Sequence, residues 1–191
     1  MSKGRLEAFS DGVIAILITI MVLELHPPEE ATLEALRPLV PVLISYVLSF
    51  VYLGIYWNNH HHLLQSATVV DGRALWANLH LLFWLSLVPF ATAWMGQDGF
   101  APVPTALYGG VLLAAAFAYT LLVQALRRVT GQSPSISVAS GVDRKGVASL
   151  LIYALAILVA MVAPFVAFGM YAIVALIWVV PDRRVERALG A

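Results

Sequence analysis

Runs of about twenty apolar residues recur along this chain, and no other property limits its fold so tightly. A hydrocarbon layer roughly 30 Å thick is crossed by about 20 residues of helix. Six such stretches follow one another, at residues 6–25, 39–62, 74–95, 104–126, 147–163 and 166–180. The last two divide a longer run, 147–180, at "APFVAFG", where Pro164 and Gly169 mark a turn. With 61% hydrophobic and 12% charged residues and a mean hydropathy of +0.86, the chain is far from a soluble domain, which is about 45–50% apolar and about 25% charged. The expected fold is all-α: a polytopic membrane protein of six transmembrane helices, making one domain over residues 1–191. The first run is too long for a signal-peptide core and no small-residue cleavage site follows it, so it is expected to stay in the mature protein.

The loops set the orientation. Six spans put both termini on one side, which collects Lys3, Arg5, Arg73, Arg127, Arg128, Arg144, Lys145, Arg183, Arg184 and Arg187. Of the 11 Lys and Arg residues only Arg37 falls on the other side, so the positive-inside rule makes both termini cytoplasmic. The outer side carries Glu24, Glu29, Glu30, Glu34 and Asp98 instead. The polar, Ser/Gly-rich segment 127–146 reads as a flexible cytoplasmic loop. A net charge of zero gives no polybasic surface for nucleic acid. The absence of cysteine removes disulfides, thiolate metal sites and cysteine nucleophiles together.

The first helix contains an anomaly, Asp11, in "RLEAFSDGVIAILITIMVLEL". A carboxylate costs about 2.5–3.5 kcal/mol at the centre of an inserted helix and less near its end, so Asp11 should face protein. At 100° per residue, Phe9, Gly12, Ile16, Thr19, Ile20 and Leu23 lie within about 60° of one direction, with Arg5 on the same side below them. Asp11 falls roughly 140° from Ile16, and Ser10 roughly 120° away on the other flank. One face is therefore a ladder of branched apolar residues relieved by a hydroxyl, and the other carries the carboxylate. Partners at matching depth come from "YLGIYWNNHHHLL" and "ALWANLHLLFW", which supply Trp57, Asn58, Asn59, His60, His61, His62, Asn78 and His80. Asp11 then anchors the first helix to its neighbours and fixes which face turns away from them.

The pattern Arg5-x-x-x-Phe9-Ser10-Asp11-Gly12-x-x-Ala15-Ile16-x-x-Thr19 resembles the signature of the lysosomal potassium channel family, transmembrane protein 175, especially its short prokaryotic members. "YWNNHHHLL" and "NLHLLFWLSLVPF" are also similar to that family, and the resemblance covers essentially the whole chain. It implies a potassium-permeable channel whose first helix lines the pore. Bacterial members assemble as homotetramers of six-helix subunits, whereas animal members join two such units in one chain and dimerise. No "TVGYG" loop occurs here, so the pore is narrowed by side chains and not by a carbonyl filter. Position by position, Ile16 corresponds to the tightest ring, Thr19 to a hydroxyl layer one turn outward, and Ile20 and Leu23 to further apolar rings. Arg5, Phe9, Ser10 and Asp11 correspond to a network at the cytoplasmic end, completed by Trp57, His61, His62, Asn78 and His80. Position 15 is Ala where animal members can carry Ser, so their selectivity does not transfer.

The resemblance gives a mechanism to expect. Four Ile16 side chains around an axis make a dry constriction that gates by dewetting, and four Thr19 hydroxyls near a permeant K+ mildly favour it over the more tightly hydrated sodium. From the residues alone, Glu24 and the "PPEE" loop have two readings, an acidic outer mouth that concentrates cations or a solvated acidic loop with no such role. The expected partners are copies of the chain itself, membrane lipid and monovalent cations; the expected location is a prokaryotic plasma membrane, with no cofactor and no enzymatic activity. The main alternative is a proton-coupled transporter relaying protons through Asp11 and the histidines. A metal site on "HHH" is disfavoured, because adjacent helical residues diverge by about 100° and no HExxH spacing exists.

Overall fold

The computed structural model describes residues 2–130 and 145–179, and within them it is helical with no strand. Helix α1 spans Lys3–Met21 and tightens into a 3-10 turn over Val22–Glu24, just before the His26-Pro27-Pro28 stop. A 3-10 segment, Glu34–Leu39, leads into α2, Val40–Ser66, with Pro41 in its first turn where a missing N–H costs nothing. The expected third span divides into α3 (Gly72–Ser86) and α4 (Val88–Gln97). Pro89 lies in the first turn of α4 and has no N–H to continue the α3 ladder, so the helix restarts there. The Asp71 carboxylate caps α3, accepting from the Ala74 amide at 2.8 Å. Helix α5 covers Pro102–Thr130, so the expected loop at 127–146 is helical as far as Thr130; residues 131–144, with Arg144, lie outside the described residues, as do Arg183, Arg184 and Arg187. Helices α6 (Val147–Ala160) and α7 (Pro164–Val179) follow. The break between them falls at 161–163, and Gly169, expected in the turn, lies inside α7.

Taken end to end, α3 and α4 have the length of one crossing, as do α1, α2 and α5 with their flanking turns, whereas α6 and α7 are apolar but shorter. Helix α1 packs on α2, α3 and α4, while α5 packs on α3, α4, α6 and α7. The turn from α4 to α5 uses two left-handed residues, Gly99 (φ 58°) and Phe100 (φ 62°). For Phe100 this conformation costs about 1–2 kcal/mol. The ring offsets it by packing 5.5 Å from the Phe165 ring and 4.7 Å from the Phe168 ring, which leaves it buried.

The bundle away from α1 is held by small residues and hydroxyls, the usual means of helix association where lipid removes the hydrophobic incentive. A Cβ on Gly96 would stand 2.8 Å from the Val42 Cα, so α4 and α2 touch backbone to backbone. A Cβ on Gly109 would collide with the Tyr171 ring, which seats α7 on α5. Thr92 donates to Ser49 at 2.7 Å, and Ser49 shares a 3.0 Å hydrogen bond with the Tyr108 hydroxyl. Tyr153 donates to the Tyr52 hydroxyl at 3.1 Å, and Tyr52 donates to the Tyr171 carbonyl at 2.6 Å. These bonds tie α2 to α4, α5, α6 and α7 and leave α1 outside the set.

Candidate functional site: the two faces of the first helix

Helix α1 is apolar nearly all round, yet the subunit covers only one side of it. Leu6, Ser10, Ile14, Leu17 and Met21 are buried, a spacing of three and four that makes one seam down the helix. The opposite ladder is uncovered: Phe9 is 49% exposed, Ile16 57%, Ile20 41% and Leu23 72%, with Gly12, Ala15 and Thr19 exposed between them. A Cβ on Gly12 would meet nothing within 4 Å, so packing inside the subunit does not require glycine there. The Thr19 hydroxyl donates to the Ile16 carbonyl at 2.9 Å. Its proton is thus spent on its own helix, and its lone pairs remain free to accept from, or coordinate, whatever lies beyond that face.

The buried side is fastened by polar contacts in register. Lys3 Nζ donates to the Gln65 carbonyl at 3.0 Å, Glu7 Oε1 lies 3.1 Å from His61 Nδ1, and Trp57 Nε1 donates to Asp11 Oδ1 at 3.1 Å. Stepping four residues along α1 steps four residues back along α2, as two antiparallel helices require. A second connection reaches α3. Asn78 Nδ2 donates to Ser10 Oγ at 2.9 Å, and His60 Nε2 donates to Asn78 Oδ1 at 2.7 Å. Ser10, His60 and Asn78 have no exposed surface, and Ser10 passes its own proton to the Leu6 carbonyl at 2.9 Å.

Of the expected network, Ser10, Asp11, Trp57, His61 and Asn78 come together here. His62 stands beside His61, ring centroids 5.6 Å apart, with a buried Nδ1 that has no partner among the described residues. His80 is not brought to α1: it is exposed on α3 and accepts from Trp84 Nε1 at 2.9 Å. Arg5 and Phe9 lie on the exposed side, and the Arg5 guanidinium makes no hydrogen bond or ion pair among the described residues. Sequence reasoning missed Glu7 and left His60 out of the network. Glu7 had a periodic signal, since it lies one turn before Asp11, whereas His60 continues the row Tyr52, Tyr56, whose burial only the structure shows. No group of three or more potential metal ligands occurs among the described residues.

The family model described as endosomal/lysosomal potassium channel TMEM175 matches residues 5–89, which include both faces of α1 and its partners on α2 and α3. The chain is 51% identical over 189 residues to a potassium channel of Chryseobacterium sp., covering 99% of this chain and 98% of that one. A crystal structure of a lysosomal potassium-selective channel TMEM175 homolog from Chamaesiphon minutus matches with a TM-score of 0.79 and 26% identity, over 93% of this chain and 96% of that chain. The endosomal/lysosomal proton channel TMEM175 of Gallus gallus is 34% identical over 103 residues, so the chain spans only 21% of that longer protein. Similarity of this kind defines a class, integral membrane ion channels as opposed to enzymes. Within that class the chain belongs to the TMEM175 family.

Proposed function

We propose that this chain, acting as a single six-helix unit over residues 1–191, is one subunit of a homotetrameric, potassium-permeable cation channel of the plasma membrane. Helix α1 lines the conduction path, Ile16 with Ile20 and Leu23 forms a hydrophobic gate, and Thr19 supplies modest selectivity. The observation that carries this reading is the division of α1: an uncovered ladder with a single hydroxyl on one side, and on the other a row of polar bonds that holds the helix to its own subunit. A helix that only faced lipid has no need of Thr19 or Gly12 on its exposed side, and a helix that belonged to the core has no reason to leave Ile16 uncovered.

Four isoleucine side chains converging on an axis exclude water from the narrowest segment, and ions stop where water stops. Conduction follows when the helices move apart enough for a partly hydrated cation to pass. Thr19 then offers oxygen lone pairs one turn beyond Ile16, replacing some of the lost hydration and favouring the cation that dehydrates more easily. Ser10, Asp11, Trp57, His61 and Asn78 set the helix orientation from the cytoplasmic end, with Glu7 as the partner of His61. No cofactor is needed, because the permeant K+ is the cargo. The proton-coupled transporter is less well supported: Asp11 bonds Trp57, while His60 bonds Asn78, so the carboxylate and the buried imidazole belong to separate chains of hydrogen bonds.

Thr19→Val tests the selectivity step. Losing one hydroxyl layer worth about 1 kcal/mol should lower the potassium-to-sodium permeability ratio by roughly fivefold. Reversal potentials under bi-ionic conditions measure it, and an unaltered ratio removes Thr19 from the mechanism.

A further inference from the structure

We propose that a cleft between α2, α5, α6 and α7 is a binding site for a small neutral alcohol. The cleft holds about 40 Å3, and its walls are aromatic: Tyr52 and Tyr56 from α2, Tyr119 from α5, Tyr153 from α6 and Trp178 from α7. Hydrogen bonds hold most of these walls in place and use up their donors. Tyr119 donates to the Asn59 carbonyl at 3.2 Å, Tyr153 to the Tyr52 hydroxyl at 3.1 Å, and Trp178 Nε1 to Ser149 Oγ at 2.8 Å. Tyr52 itself donates to the Tyr171 carbonyl. Tyr56 is the exception. Its ring stands edge-on to Tyr119 with centroids 6.2 Å apart, the residue is only 9% exposed, and its hydroxyl has no hydrogen-bond partner among the described residues. That hydroxyl is not sealed off, as the orphaned Nδ1 of His60 is, so it opens on the cleft that Tyr56 lines.

The lining selects the ligand. No Asp, Glu, Lys or Arg borders the cleft among the described residues, so an ion would lose its hydration there without gaining a counter-charge. Water fits by size, since about 40 Å3 is room for about three molecules at roughly 10–15 Å3 each. It does not fit by chemistry, because each buried water needs about two to four polar partners. The side-chain groups with hydrogen bonds left to make are the Tyr56 hydroxyl, the Asn59 amide and the lone pairs of Thr120, whose proton goes to the Ala116 carbonyl at 3.0 Å. Most of the remaining lining is aromatic or aliphatic carbon. One hydroxyl on a short apolar body answers both parts of this surface: its O–H pairs with Tyr56 and Asn59, and its carbons lie against the rings. An alcohol of about two to four carbons has that form. The cleft shares no residue with α1 or with the side chains that fasten it, so the inference stands whether or not α1 lines the pore.

The test is photolabelling of the full-length protein in nanodiscs with a diazirine-bearing butanol, read by mass spectrometry of the α2 and α5 peptides. Labelling around Tyr56 and Tyr119 should saturate, and propan-1-ol should displace the probe at millimolar concentration, as one hydrogen bond and about three buried carbons allow. Tyr56→Phe keeps the ring and removes a hydroxyl that no other described residue uses. The midpoint of thermal unfolding should therefore stay unchanged, while propan-1-ol displaces the probe about fivefold less effectively. Ala116→Leu fills the cleft and should abolish labelling there. The exposed apolar residues Met161 and Val162, which any apolar probe can reach, are the control whose labelling stays the same. Labelling around Tyr56 that does not saturate, or that survives with undiminished displacement in either variant, overturns the inference.

Discussion

Ile16→Asn is expected to raise resting conductance by roughly tenfold or more, since each 1.4 kcal/mol removed from a barrier gives a factor of ten. In a pore closed by dewetting, the barrier is the cost of keeping water among four apolar side chains, and an amide at each position gives that water hydrogen bonds. The substitution barely disturbs the fold, because Ile16 is 57% exposed on the subunit. Ile14, two residues away, is the control that hydropathy alone would not suggest. It has no exposed surface, so Ile14→Asn buries an unpaired amide at a cost of about 1–3 kcal/mol and should lower the yield of folded protein without opening a leak. Single-channel recording in planar bilayers, at matched amounts of reconstituted protein, measures both variants. Equal conductance in Ile16→Asn and wild type would remove Ile16 from the gate.

Asn78→Leu should produce the largest loss of stability. Interhelical hydrogen bonds in membranes are worth only about 0.6 kcal/mol on average, so most polar substitutions in this bundle should be mild. Asn78 differs because it bridges two groups with no exposed surface, Ser10 on α1 and His60 on α2. Removing it leaves two buried polar groups short of a partner, at about 1–3 kcal/mol each. His60 is already strained for partners, since its Nδ1 has none among the described residues. A total near 2–6 kcal/mol corresponds to a fall of about 4–24 °C in the midpoint of thermal unfolding for a chain of this size. Tryptophan fluorescence during heating in detergent reads it. A midpoint within a degree or two of the wild type would mean that this bridge does not hold α1.

The first helix was the most legible part of the sequence, because its two faces differ in kind. Branched residues at 16, 20 and 23 with Thr19 among them, and a carboxylate roughly 140° from Ile16, can be placed by the 100° period alone, and in the structure they fall on uncovered and fastened sides. The break between α3 and α4 was not legible. Hydropathy integrates over the whole stretch Gly72–Gln97, whereas the break depends on the one N–H that Pro89 lacks. Nor could the sequence choose among His60, His61 and His62. Adjacent residues point about 100° apart, and the rotation of α2 that turns His60 inward and His61 toward Glu7 is set by how Tyr52 and Ser49 pack against distant helices. Those hydroxyl contacts join residues 43 to 119 positions apart, and isolated Ser, Thr and Tyr in apolar helices give no sign of which will meet.

Whether α1 lines the pore turns on where Ile16 points in the assembled channel. A density map of the full-length protein in lipid nanodiscs and potassium chloride tests it directly. Four copies are expected about one axis, with Ile16 forming the narrowest ring, Thr19 a turn outward, and Asp11 directed back into its own subunit at Trp57. A map in which Ile16 contacts lipid or the interior of its own subunit, with another segment surrounding the conduction path, would contradict it.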